Sequence, residues 1–153
     1  MMKLMVTRFN NITWSENQRW REINDSEGCI YNTPAYIKND IPLQIPIYVI
    51  EMNNDTNKIV GIGRIINIVR VDKKYRIYER QNYNRYTYRG KKRLDIEVLK
   101  KTISKEELEK LEKLEARIFT TKKHLKRGKG ISQVTHDVEK EYLKFVAGLF
   151  ILL

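Results

Sequence analysis

Residues 45–52 read Ile-Pro-Ile-Tyr-Val-Ile-Glu-Met, and residues 58–71 read Lys-Ile-Val-Gly-Ile-Gly-Arg-Ile-Ile-Asn-Ile-Val-Arg-Val, with the polar run Asn53-Asn-Asp-Thr-Asn57 between them. The first stretch is β-branched or aromatic on both of its alternating faces, which predicts a strand covered on both sides and therefore central in a sheet. The polar run supplies turn formers, and the second stretch resumes an extended apolar pattern, so the two predict a hairpin. Outward from this hairpin, Tyr75–Tyr78 and Asn84–Arg89 predict two short strands around a turn at Gln81-Asn82, with Gly90 closing the second. Ser104-Lys-Glu-Glu107 is a capping box, and Leu108, Leu111, Leu114 and Ile118 follow at helical spacing, predicting a helix over 105–118. Val134, Val138, Tyr142, Phe145 and Leu149 fall about one turn apart and predict a last helix over 133–150. Ser15 to Asn24 predicts one short helix near the N-terminus. The fold class is thus α+β: a small curved mixed β-sheet or barrel with flanking helices, and a helical part over 104–153 packed on it.

The length of 153 residues fits one domain over 1–153. A hydrophobic fraction of 41% with 10% aromatics is too rich for a disordered chain. A single cysteine, Cys29, excludes an intramolecular disulfide and a multi-thiolate zinc site, and no metal or cofactor is expected. The longest apolar run, Phe145 to Leu153, has nine residues where a spanning helix needs about 20, so no membrane span is expected. Thr7, Arg8 and Asn10 interrupt the start of the chain before a secretory signal core forms, which predicts an intracellular protein, cytoplasmic or nuclear, and not a secreted one. Ile, Lys, Asn and Tyr, all with A/T-rich codons, supply 58 of the 153 residues.

The formal net charge is +11. Residues 1–69 hold seven basic and seven acidic side chains and are neutral, whereas 70–93 hold ten basic and two acidic, a net of +8 in 24 positions. Residues 94–153 add +3. A cationic excess so concentrated points to a polyanionic partner.

Four features could carry chemistry, each with a plainer structural rival. On the second hairpin strand, Gly61 and Gly63 lie on one face and leave a slot without Cβ atoms, open to a flat ligand or filled by a bulky core side chain. Trp14, Trp20, Tyr31, Asn32 and Tyr36 supply flat faces and polar handles suited to stacking on a nucleobase and reading its edge, although at least one tryptophan of such a pair belongs in the core. Between residues 70 and 93, Tyr75, Tyr78, Tyr83, Tyr86 and Tyr88 interleave with the cations. Cations neutralise phosphates and rings stack on unpaired bases, which makes Arg76, Arg80, Arg85, Arg89, Lys91 and Lys92 candidate phosphate ligands; the rival is a solvated outer strand face. Finally, Thr121 to Ser132 carries Lys122, Lys123, Lys126, Arg127 and Lys129 without an acid, and Gly128 and Gly130 let backbone N–H groups converge ahead of a helix start, a candidate anion site or a plain connection. Catalysis has no comparable support. His124 and His136 stand twelve apart with no cysteine near, adjacent His136-Asp137 do not face each other on a helix, and no nucleophile has a base at motif spacing. The chain reads as a binding protein and not as an enzyme.

The run Ile47-Tyr-Val-Ile-Glu-Met52, a polar turn, and Ile59-Val-Gly-Ile-Gly-Arg-Ile65 resemble the strand-turn-strand of PUA-like modules of the EVE and YTH type, and Trp14 to Pro34 with Tyr31-Asn-Thr-Pro34 is similar in order to their tryptophan-bearing segment. That resemblance implies a small curved sheet holding a modified nucleobase in an aromatic cage beside a basic groove. Asn82-Tyr-Asn-Arg-Tyr-Thr-Tyr88 and His124-Leu-Lys-Arg-Gly-Lys-Gly130 also resemble segments of an uncharacterised protein family of large DNA viruses, which would place the protein in a host cell. The expected function is nucleic-acid binding, RNA favoured over DNA, with Trp14, Trp20, Tyr31, Asn32, Gly61 and Gly63 around the base. The alternative is an interaction or oligomerisation subunit of a larger viral complex, docking on a partner or a second copy through the apolar tail Phe145–Leu153.

Overall fold

The computed structural model describes residues 1–152. Its strands are β1 (Lys3–Phe9), β2 (Cys29–Thr33), β3 (Pro46–Asn53), β4 (Lys58–Ile66), β5 (Tyr86–Gly90), β6 (Lys92–Asp95) and β7 (Ser132–Gln133), and its helices α1 (Asn11–Ile23), α2 (Ile96–Thr102), α3 (Lys105–Phe119) and α4 (His136–Leu149). Five strands form one sheet in the order β6-β4-β3-β1-β7, and β2 pairs with β5 in a second, two-stranded sheet. Strands β1 and β3 run parallel, Val6 opposite Ile50, while the other pairs are antiparallel. The main sheet is therefore mixed and open, and the barrel alternative is not realised.

The expected hairpin is β3–β4, and β3 is central because β1 covers its other edge. Its register puts Glu51 opposite Gly61 and Met52 opposite Ile59, leaving Val60 as the extra residue of a bulge. Alternation sends Leu4, Val6, Tyr48, Ile50 and Ile62 to a core shared with Leu111, Leu114, Ile118, Val138, Val146 and Leu149 of α3 and α4. The opposite set, Met5, Phe9, Ile47, Val49 and Ile65, packs against Ile30, Tyr31, Tyr75 and Tyr88 around the two-stranded sheet.

Helix boundaries follow their caps. Asn10 accepts from the Thr13 N–H at 2.8 Å while Thr13 Oγ1 accepts from the Asn10 N–H at 3.0 Å, so α1 begins four residues before the predicted start. The predicted box at Ser104 and Glu107 opens α3. Helix α4 is shorter than predicted because Ser132 and Gln133 pair with Val6 and Met5. Tyr75–Tyr78 is not a strand. Its backbone is tied by side chains instead: the Tyr75 carbonyl accepts from Asn32 Nδ2 at 2.6 Å, and Asn84 Oδ1 accepts from the N–H groups of Ile77 and Tyr78. The turn after it is a short 3-10 helix, Gln81–Asn84. Strand β4 ends at Ile66 because Asn67 turns back, its side chain donating to the Ile41 and Pro42 carbonyls.

The apolar tail is largely internal. Val146, Leu149 and Phe150 are buried in the core, Phe145 is half-buried under the Lys110 ammonium, and Ile151 is exposed. Leu153, the end of the proposed docking segment, lies outside the described residues. Among the described residues no helix is long and apolar enough to cross a membrane.

Candidate functional site

The glycine slot is closed. A Cβ on Gly63 would run into the Tyr31 hydroxyl and Cys29 Sγ, and one on Gly61 would run into the Arg93 guanidinium and the Glu51 carboxylate. Glu51, 1% exposed, accepts from Arg93 Nη2 at 2.6 Å, from Arg93 Nε at 3.0 Å, and from the Tyr31 hydroxyl at 2.5 Å. Burial works against the Arg93 charge, but Glu51 outweighs it and the guanidinium is held more firmly protonated than an ordinary arginine. Burial pushes the Cys29 thiol up to about 12 and Tyr31 well above the ordinary tyrosine range. Tyr31, Gly61 and Gly63 thus build an internal polar cluster and not a base pocket, because the glycines are what lets these side chains cross β4. The tryptophans close the same region. The Trp14 ring lies 5.0 Å from the Arg93 guanidinium and edge-on to Phe9, while Trp20 is edge-on to Tyr75 and faces Arg89 at 5.4 Å. Both are half-buried, and neither lines any of the clefts described below, so the expected cage of Trp14, Trp20 and Tyr31 is not formed.

A cleft of about 480 Å³ opens where β1 ends and α1 begins, next to Asn54 just beyond β3. Because β1 and β3 are parallel, both carboxyl ends point to this cleft, the place where open sheets with helical crossovers take ligands. Its walls come from three regions the sequence analysis had kept apart: Asn32 and Pro34; Tyr78, Asn82 and Tyr83; and the loop Gly128-Lys129-Gly130. Arg8 lies in its wall. Arg8 Nε donates to the Leu125 carbonyl at 2.7 Å, but Nη1 is buried with no partner. Gly128, at φ +143°, passes so near that a Cβ there would come within 2.8 Å of the Arg8 Cζ, a close approach open only to glycine. Burial lowers the pKa of Arg8, and no carboxylate lines the cleft to offset it; Lys129 adds a second cation. Asn54 Nδ2 donates to the Lys126 carbonyl at 2.8 Å, whereas its Oδ1 is buried without a donor. Asp55, next in sequence to Asn54 and outside the lining, has its carboxylate engaged, accepting from the Asn11 N–H at the start of α1.

Asn32 lines the cleft but is not free to read a base. Its Oδ1 accepts from the Thr87 hydroxyl at 2.6 Å, and its Nδ2 donates to the Tyr75 carbonyl and to Asn84 Oδ1. It holds together the walls that carry Tyr78 and Tyr83.

The predicted phosphate ligands divide between two ends of the sheet. Arg89, Lys91 and Lys92 line a second cleft of about 640 Å³, joined by Arg64 and Arg70, with Glu27 as its one acid. Ile66 of this cleft pairs with Pro46 at the start of β3, whereas Arg8 of the first cleft pairs with Met52 near its end. Lys129 alone of the loop cations lines the first cleft; Arg76, Arg80, Arg85, Lys122, Lys123, Lys126 and Arg127 line neither. Tyr78, Asn82 and Tyr83 of the cationic middle stretch share the first cleft with the lysine-rich loop, whereas Arg89, Lys91 and Lys92 line the second. Arg8 and Asn54 were missed. Each is a single polar residue beside a strand end, with no charge run or repeat to mark it. Family models, curated proteins and solved structures were all compared with this chain, and none matches it.

Proposed function

We propose that the protein binds nucleic acid and takes one unpaired nucleotide of a strand, RNA in preference to DNA, into the cleft at the ends of β1 and β3. One observation carries this reading. Arg8 and Asn54 both line one cleft that has no carboxylate in its walls, and each carries a buried polar atom without a protein partner, Arg8 Nη1 and Asn54 Oδ1. Buried polar atoms without partners are uncommon in folded proteins, and an anionic group with an N–H edge would satisfy both. In this reading Arg8 and Lys129 hold a phosphate, Gly128 leaves room for the Arg8 guanidinium, the Tyr83 ring takes the face of the base, and Asn54 Oδ1 accepts from a ring or exocyclic N–H. The volume falls in the ordinary range of small-ligand sites, roughly 300–1,000 Å³. RNA is favoured because proteins read it mainly through unpaired, splayed bases. The resemblance to PUA-like base readers supports the same class, with the pocket on different residues from the Trp14, Trp20 and Tyr31 cage it implied.

The test is fluorescence anisotropy with a labelled single-stranded oligoribonucleotide across a salt series. Lys129 is exposed, so Lys129→Glu leaves the fold intact; it is expected to weaken binding about tenfold and to flatten the salt dependence by about 0.7 log unit per log unit. Absence of binding at low salt, or binding indifferent to salt, overturns the proposal.

A further inference from the structure

An aromatic pair joins the loop after β2 to the start of β5. The Tyr36 and Tyr86 rings lie 3.7 Å apart at 33°, with the Arg85 guanidinium 5.6 Å from the Tyr86 ring. Tyr36 is 59% exposed, the only exposed phenylalanine, tyrosine or tryptophan among the described residues. It is thus held flat by one partner and turned to solvent on its other face, the arrangement of a stacking platform. Its position connects the clefts. Pro34, two residues before Tyr36, lines the first cleft, and so does Tyr83, three before Tyr86. Tyr36 itself lines a third cleft of about 320 Å³ with Tyr88 and Ile68, and Ile68 belongs also to the basic cleft. The segment between them is fixed to β5, the Arg70 N–H donating to the Thr87 carbonyl at 2.8 Å.

Resting on the function proposed above, we infer that the bound strand continues from the first cleft over the Tyr36–Tyr86 stack, which takes the face of a neighbouring base, and ends with its phosphates in the basic cleft at Lys91 and Lys92. The pairing levels of the two clefts on β3, Met52 and Pro46, are six residues apart, roughly 20 Å at ~3.3 Å per residue. At about 3.4 Å per nucleotide for a strand stacked throughout, this sets an upper limit of about six nucleotides on the footprint.

The experiment uses the full chain and oligouridylates of about two to ten nucleotides, the longer read by anisotropy and the dinucleotide by NMR titration. Affinity is expected to rise with length and level off by about six. Tyr36→Ala should weaken the hexamer roughly 5- to 100-fold, the range found for losing one stacked base, and leave the dinucleotide unchanged. The Lys91→Glu/Lys92→Glu double variant should likewise weaken only the longer strands and reduce their salt slope. If affinity does not depend on length, or if either variant changes dinucleotide and hexamer equally or not at all, the track is wrong while the first cleft stands. If no oligonucleotide of any length binds, the cleft reading and the track fall together.

Discussion

Replacing Glu51 by Gln keeps the shape of the side chain and removes the one negative charge at the centre of the protein. In the native structure that carboxylate, 1% exposed, neutralises Arg93, whose side chain is 7% exposed, and accepts from the Tyr31 hydroxyl. A second guanidinium, Arg21, is desolvated nearby; burial and the Arg93 charge lower its pKa while Glu51 raises it, and its Nη2 has no partner. Asp95, 3.3 Å from Arg93 Nη1 and partly exposed, cannot replace Glu51 for both. Breaking a buried pair by removing one partner costs about 3–5 kcal/mol, because the remaining charge is left buried. At about 2–4 °C per kcal/mol for a chain of this size, the melting temperature should fall by roughly 6–20 °C. Urea unfolding followed by circular dichroism measures the loss directly. Adding Arg93→Met should recover most of it, since the stranded charge is then gone and methionine fills similar space, and the double-mutant cycle gives the coupling. A loss under about 1 kcal/mol, or a double variant as unstable as the sum of its singles, would refute the view that this ion pair is dry and mutually dependent.

Gly63→Ala forces a methyl group onto the Tyr31 hydroxyl and Cys29 Sγ and should cost about 1–3 kcal/mol, read as a lowered urea midpoint with unchanged slope. Stability should fall on the alkaline side: Cys29, Tyr31 and Tyr78 all have folded pKa values raised by burial, so their contribution is complete below the unfolded values and is lost as pH rises towards the folded ones. For Cys29 that window runs from 9.0 to about 12, a loss of about 1.4 kcal/mol per pH unit, and Cys29→Ala should move the onset up to the tyrosine value of 10.0. Urea midpoints across this range check both statements; an onset unmoved in the variant would show that the thiol titrates normally.

The hairpin, α3 and α4 were legible because each has a periodic apolar run with a turn or a cap at its border. Strand β1 was not, because in Lys3-Leu-Met-Val-Thr-Arg-Phe9 the apolar run is only Leu4, Met5 and Val6 before Thr7 and Arg8 interrupt it, too brief to mark a strand buried on both faces. The two-residue β7 and four-residue β6 exist only through their partners Met5, Val6 and Gly61 to Arg64. Tyr75–Tyr78 misled for the converse reason: strand-forming side chains whose backbone groups are taken by Asn32 and Asn84, residues distant in sequence or in an adjacent turn. At the Gly61/Gly63 slot the plainer of the two readings holds, internal side chains and not a flat ligand. What fills it, Tyr31 and the Arg93–Glu51 pair, arrives from β2, β6 and β3, and only the register shows that.

Charge density along the chain overstates what a bound strand meets, and the salt dependence of binding measures by how much. If every predicted phosphate ligand touched a phosphate, eleven cations would act together, and at about 0.7 per contact for a single strand the slope of log affinity on log salt would approach −8. The structure withdraws most of them. Seven line neither cleft, and in the basic cleft Arg89 lies between Trp20 and Tyr75 and donates to Ser26 at 2.7 Å, while Arg70 is 3.3 Å from Asp72. Arg8 and Lys129 at one end and Arg64, Lys91 and Lys92 at the other remain, which sets a slope near −3.5 for a strand spanning both and near −1.5 for one confined to the first cleft. A measured slope near −8 would mean that the cations outside the clefts bind as well and that the strand follows the charge and not the clefts; a slope near zero would remove phosphate from the interaction altogether.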